Sequence, residues 1–171
     1  MTNKAEEKKA LLIDKIVTAL GQRLPADVVP LAQVFAGQYF TWVSPEDLLD
    51  DESEDLYGAV LAHWNFARRR QWGEVLIRVY NPDFEVHGWR STHSVVETVN
   101  DDRPFLVDSV TMELNRHGLT VHRSIHPVMR VRRDPTDTCR KSCHTAAKTA
   151  TPKPSCTSRW TGRAIPPSWN P

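Results

Sequence analysis

The chain has 171 residues, 25% of them charged and 40% hydrophobic, with a formal charge of +1. That suits one ordinary domain, or a helical piece followed by a small α/β piece. It excludes a strongly basic nucleic-acid binder, and its apolar runs are far too short to span a bilayer.

From the N-terminus, residues 5–24 predict an amphipathic helix. Leu12, Ile16 and Leu20 recur at four-residue spacing, with Ile13, Val17 and Leu24 widening the stripe and Lys8, Lys9, Asp14 and Lys15 mostly off it. Gly21 and Pro25 fall where that helix should stop. Asp27 is the expected cap of a second helix, with Pro30 in its first turn and Leu31, Val34 and Phe35 on its apolar face. Ser44-Pro45-Glu46-Asp47 is a start signal: a capping hydroxyl, proline at the first helical position and acids in the first turn. A further helix starts at Ser53, packs Leu56, Val60 and Trp64, and ends at Arg68-Arg69-Arg70, read as a solvated end whose cations suit the helix dipole.

The period then changes. Residues 74–80 (EVLIRVY) form an expected strand closed by the Asn81-Pro82 turn, and residues 91–99 alternate as a second one. Asn100, Asp101, Asp102, Arg103 and Pro104 read as a loop opening a helix over residues 104–116, with Asp101 and Asp102 as its caps and Gly118 as its stop. Residues 119–132 return as a third strand, bent at Pro127. The order β-β-α-β predicts a small α+β sandwich behind the N-terminal helices.

At residue 134 the chain changes character. Residues 134–171 hold one Ile and no Leu, Val, Met or Phe, but six Pro and all three Cys. They also carry six Lys/Arg against two Asp, which is +4, leaving −3 for residues 1–133. The three domains expected are therefore a helical region over 1–70, an α+β module over 71–133 and a disordered tail over 134–171. The cysteine-free first 133 residues and the charged N-terminus MTNKAEEKKA, which lacks an apolar signal core, are those of a cytoplasmic protein.

The stretch YNPDFEVHGWRSTHSVVETVNDDRPFLVDSVTMELNRHGLTVHRSIHPVMRVRRD (Tyr80 to Asp134) closely resembles the N-terminal region of the large bacterial NAD-specific glutamate dehydrogenases. WVSPEDLL (Trp42 to Leu49) and LYGAVLAHWNFAR (Leu56 to Arg68) match the same family in the same order. The resemblance implies an ACT-like module of the βαββαβ type, here incomplete, used for regulation and assembly. It implies as partners an amino-acid effector, another copy of the chain or other parts of the full-length enzyme. The family reaction is oxidative deamination of glutamate with NAD, and its catalytic and dinucleotide domains lie far downstream.

The residues agree with that division. No G-x-G pair occurs among the seven glycines, so no dinucleotide phosphate cradle is expected, and no catalytic, NAD-binding or metal residue is assigned to this chain. The regulatory ligand loop implied by the resemblance is Asn100, Asp101, Asp102, Arg103 and Pro104, with Phe105 where such modules usually carry Gly. A free-standing module that binds an amino acid or a protein partner is the alternative reading.

Other groupings weigh less. His122 and His126 share strand spacing and His93 can neighbour them, but no third metal ligand is fixed. Ser109 lacks a nucleophile elbow. Trp42, Trp64, Trp72 and Trp89 are expected to pack. In the tail, Cys139, Cys143 and His144 lack the spacing of a strong zinc motif. A frameshift accounts better for this tail: codons can be chosen for residues 153–171 so that the frame two bases on reads AFMHVEVDRASDPAVLEP, a strand followed by a helix start.

Overall fold

The computed structural model describes residues 2–133, 139–143 and 156–165. Its fold is α+β, as the change of period indicated. Four helices come first: α1 (Thr2–Arg23), α2 (Val29–Tyr39), α3 (Pro45–Leu49) and α4 (Ser53–Ala67). Ile16 and Leu20 of α1, Phe35 and Ala36 of α2, and Leu56, Val60 and Trp64 of α4 are buried in one core. Full burial of such side chains is worth roughly 1.5–3 kcal/mol each. That packing, rather than propensity, holds helices as short as α2.

The local helix signals are obeyed at some termini and not at others. Ser44 caps α3, its hydroxyl accepting from Asp47 N at 3.3 Å. Asp27 does not cap α2; the N-cap is Val28, without a side-chain hydrogen bond. Lys9, placed off the apolar stripe by the pattern, is only 8% exposed. Its stem lies along the core and its ammonium donates to Val43 O at 2.7 Å and Thr41 O at 3.2 Å, tying α1 to the turn after α2.

The sheet follows. β1 (Leu76–Tyr80), β2 (Ser94–Asp101), β3 (Arg123–Ile125), β4 (Val128–Arg133), β5 (Cys139–Cys143) and β6 (Cys156–Ile165) run antiparallel in the order β1-β2-β6-β4-β5, with β3 also pairing with β6. α5 (Phe84–His87) and α6 (Leu106–Arg116) are inserted between strands. Alternation along the strands sends Val99, Met129 and Val131 into the helical core. Pro127 divides the expected third strand into β3 and β4, as the bend foresaw.

Four differences have physical reasons. Asn100 and Asp101 belong to β2, because β6 pairs as far as Asp101↔Ser158. α6 starts at Leu106 with Phe105 as its N-cap residue, and Asp101, expected as a cap, instead pairs with Arg70. Arg70 is not a solvated helix end: it is 2% exposed, and its guanidinium pairs with the Asp101 carboxylate. Finally, residues 134–171 were expected to be disordered, yet β5 and β6 lie within them and β6 runs between β2 and β4. Of the tail cysteines, Cys139 is buried and its N–H donates to Arg68 O at 2.8 Å. His144, and with it the zinc grouping, lies outside the described residues.

Candidate functional site

The loop anticipated as a ligand site sits where β2 passes into α6. Its five residues divide. Asn100 is buried within the sheet, and Asp101 is held by Arg70, whose Nε also donates to Glu74 O at 2.6 Å. Both serve the fold. Asp102, Arg103 and Pro104 are exposed. Phe105 follows with φ 58°, a left-handed conformation, and its ring is 74% exposed. The resemblance implies a Gly at this position, and the backbone has the shape that Gly favours. The Phe105 side chain makes no capping hydrogen bond to the helix that follows, whose N-terminal dipole favours an anion. Asp108 in the first turn opposes one.

A second concave site lies where α3 and α4 face β2 and β3. The cavity measures about 570 Å³. Tyr39, Phe40, Leu56, Trp89, Val95 and Ile125 supply apolar wall, and Asp47, Asp50, Asp51, Glu52 and Asp55 crowd the helical side. Asp51 is paired with Arg123, and Asp55 accepts from Arg90 N at 3.0 Å. Asp47, Asp50 and Glu52 make no ion pair among the described residues.

Beside this cavity is a hydrogen-bonded set that carries no catalytic geometry. Arg78 Nε donates to Glu97 at 2.8 Å and Tyr80 Oη donates to the same carboxylate at 3.0 Å. The Arg78 guanidinium also lies 4.6 Å from the Phe66 ring centroid and 4.5 Å from that of Tyr80. Burial raises the Glu97 pKa, against the opposing pull of Arg78. Tyr39 Oη and His63 Nδ1 are 3.0 Å apart, and burial lowers the His63 pKa to about 3, with Arg78 adding to the shift. His63 is therefore neutral, a structural imidazole rather than a proton carrier at neutral pH.

Of the histidines considered from sequence, His93 and His122 do come together, ring centroids 4.6 Å apart at the cavity. His126 does not join them; it lines a separate groove with Trp42 and Val107. Desolvation, then His122 and Arg123, lower the His93 pKa. Among the described residues no group of three His, Cys, Asp or Glu side chains could hold a metal ion. Trp64 and Trp89 pack as expected, whereas Trp42 and Trp72 are 78% and 66% exposed. Ser109 is exposed, in the first turns of α6. Sequence reading missed the cavity, because its walls come from five elements whose approach no local pattern encodes.

Comparison with known proteins gives the family. Residues 35–158 match the model described as glutamate dehydrogenase, ACT1 domain. The chain is 43% identical over 129 residues to the NAD-specific glutamate dehydrogenase of Halomonas elongata, covering 75% of this chain and 8% of that protein. It is likewise 43% identical over 125 residues to the enzyme of that name from Pseudomonas aeruginosa, covering 73% of this chain and 8% of the relative. The chain thus spans only a small part of the length of the curated relatives it matches. No solved structure matches it. No helix among the described residues is long and apolar enough to cross a membrane. The match over residues 35–158 runs from within α2 to the start of β6, and by it the chain belongs to the glutamate dehydrogenase ACT1 domain family.

Proposed function

We propose that this chain is the N-terminal, non-catalytic portion of an NAD-specific glutamate dehydrogenase. The full-length form would deaminate glutamate to 2-oxoglutarate and ammonium with NAD, in the cytoplasm. The observation that carries the reading is the 43% identity to relatives of that name, confined to 8% of their length. The absence of any G-x-G pair from the sequence agrees with it. The chain acts as a regulatory and assembly segment, with the rest of the enzyme and a second copy as partners. The N-terminus of α6 beside Arg103 is the place for an amino-acid carboxylate.

The tail is read as out of frame from about residue 134. In support, the composition changes at residue 134 and the alternative frame over 153–171 gives an alternating strand, although the family match itself runs on to residue 158. Two measurements test the whole reading. Purified chain given glutamate and NAD should form no NADH, and any glutamate-dependent NADH formation overturns the non-catalytic assignment. Sequencing the locus past the stop should show a dehydrogenase domain in a neighbouring frame. An intact frame with no such domain favours the free-standing module.

A further inference from the structure

β1 is an edge strand of the sheet. It pairs with β2 alone, and its other side has no strand partner among the described residues. Exposed edges are ordinarily blunted by a lysine or proline, by a bulge or by a covering element. β1 (LIRVY) contains neither residue, and its register with β2 runs without a break from Leu76↔Val99 to Tyr80↔Val95. Nor is its outward face covered. Val75, Ile77 and Val79, at alternate positions, are 57%, 65% and 43% exposed, while Leu76, Arg78 and Tyr80 are half-buried on the other face. An open ladder and an apolar stripe coincide on one segment.

A second copy of the chain matches both. Antiparallel pairing about a two-fold axis lays the strand against itself. Main-chain groups and side-chain faces both alternate, so every register that joins the ladders also sets outward residues opposite outward residues. Charge selects among those registers. Centred on Arg78, the two guanidinium groups would oppose each other, and centred on Ile77, each Arg78 would face Leu76. Centred on Leu76, Arg78 of each copy faces Glu74 of the other, and Val75 faces Ile77. Glu74 is exposed and makes no ion pair among the described residues. Arg78 already serves Glu97, yet its side chain is 34% exposed and carries five donors, enough for a second carboxylate.

We propose that β1 is a homodimer contact: two copies pair antiparallel through residues 74–78, centred on Leu76, and form one continuous sheet. The assembly role proposed above names a second copy without giving it a surface, and this inference rests on that reading for the class of partner alone.

The test follows the mass of the full chain by sedimentation equilibrium over a concentration series, where a monomer–dimer equilibrium is expected. Ile77→Lys puts a charge from each copy into the contact and should leave the chain monomeric. Its circular dichroism melt should be unchanged, because the side chain is exposed. Glu74→Lys, before the strand and also exposed, should weaken the dimer by about tenfold or more, since two attractive pairs become repulsive. It decides the matter should Ile77→Lys unfold the chain. Disulfide trapping reads the register: Val75→Cys and Ile77→Cys chains, mixed and oxidised, should cross-link to each other faster than either does to itself, above the wild-type background. A chain monomeric at every concentration, a dimer undiminished by Ile77→Lys or Glu74→Lys, or cross-linking no faster in the mixture each overturns the proposal. None of these readouts involves NAD or glutamate, so a monomeric chain removes this contact and leaves the dehydrogenase reading in place.

Discussion

Phe105 shows how one residue can keep a backbone shape that its side chain does not favour. At φ 58° an L-residue other than Gly bears a cost of roughly 1–2 kcal/mol. The ring is 74% exposed, so little packing offsets it. Phe105→Gly would remove the steric cost while enlarging the unfolded ensemble, which takes back about 0.4–1 kcal/mol. A net gain of about 0.5–1 kcal/mol in urea unfolding is expected. A loss of stability would mean that the Phe105 ring makes contacts worth more than the strain. Asp101 illustrates the opposite case. Its carboxylate looks free in the sequence, yet it neutralises a guanidinium that is otherwise enclosed. Such a charge pair is costly to break once buried.

Among the elements, α4 has the tightest contact with the segment that leads into β2. A Cβ added at Gly58 would come within 2.2 Å of Trp89 Cβ and 2.7 Å of Trp89 Cγ. Those are rigid parts of a buried side chain, so the clash can be relieved only by moving the helix or the turn. Gly58→Ala should therefore destabilise the chain by about 1–3 kcal/mol despite alanine's better helix propensity, which is worth about 1 kcal/mol the other way. Equilibrium urea unfolding checks the sign: a more stable Gly58→Ala protein would place Trp89 elsewhere.

Across the whole molecule, acid stability is governed in part by His63. It sits at the centre of the helical core, against Tyr39 and Phe35, and stays neutral down to about pH 3. In the unfolded chain it takes a proton near pH 6.5. Between those values the unfolded state binds more protons, so folding stability falls as pH is lowered, by about 1.4 kcal/mol per pH unit for this one group. Above pH 6.5 both states are neutral and the contribution is constant. His63→Phe should flatten the stability profile between about pH 6.5 and pH 4 by that slope, measured as urea midpoints. An unchanged slope would show that His63 is solvated. β6 works at the same scale: it bridges β2 on one side and β3 and β4 on the other, joining strands that would otherwise present edges.

The sequence by itself determined the class of the fold, the place of the helices and strands in chain order, and the family. Hydrophobic period, the Ser44-Pro45 start and the Pro127 break are local signals, and local geometry obeys them. It did not determine Arg70, Lys9 or Asp101, whose burial depends on partners 31 to 34 residues away. Nor did it place β5 and β6. Residues 134–171 are nearly devoid of aliphatic side chains, and their strands are defined by main-chain pairing with neighbours, which composition does not register. The candidate site divides along the same line. The Asn100–Pro104 loop was legible because turn residues before a periodic helix are contiguous. The cavity was not, because Asp50, Trp89 and Ile125 become neighbours only when α3, α4 and the sheet close on one another.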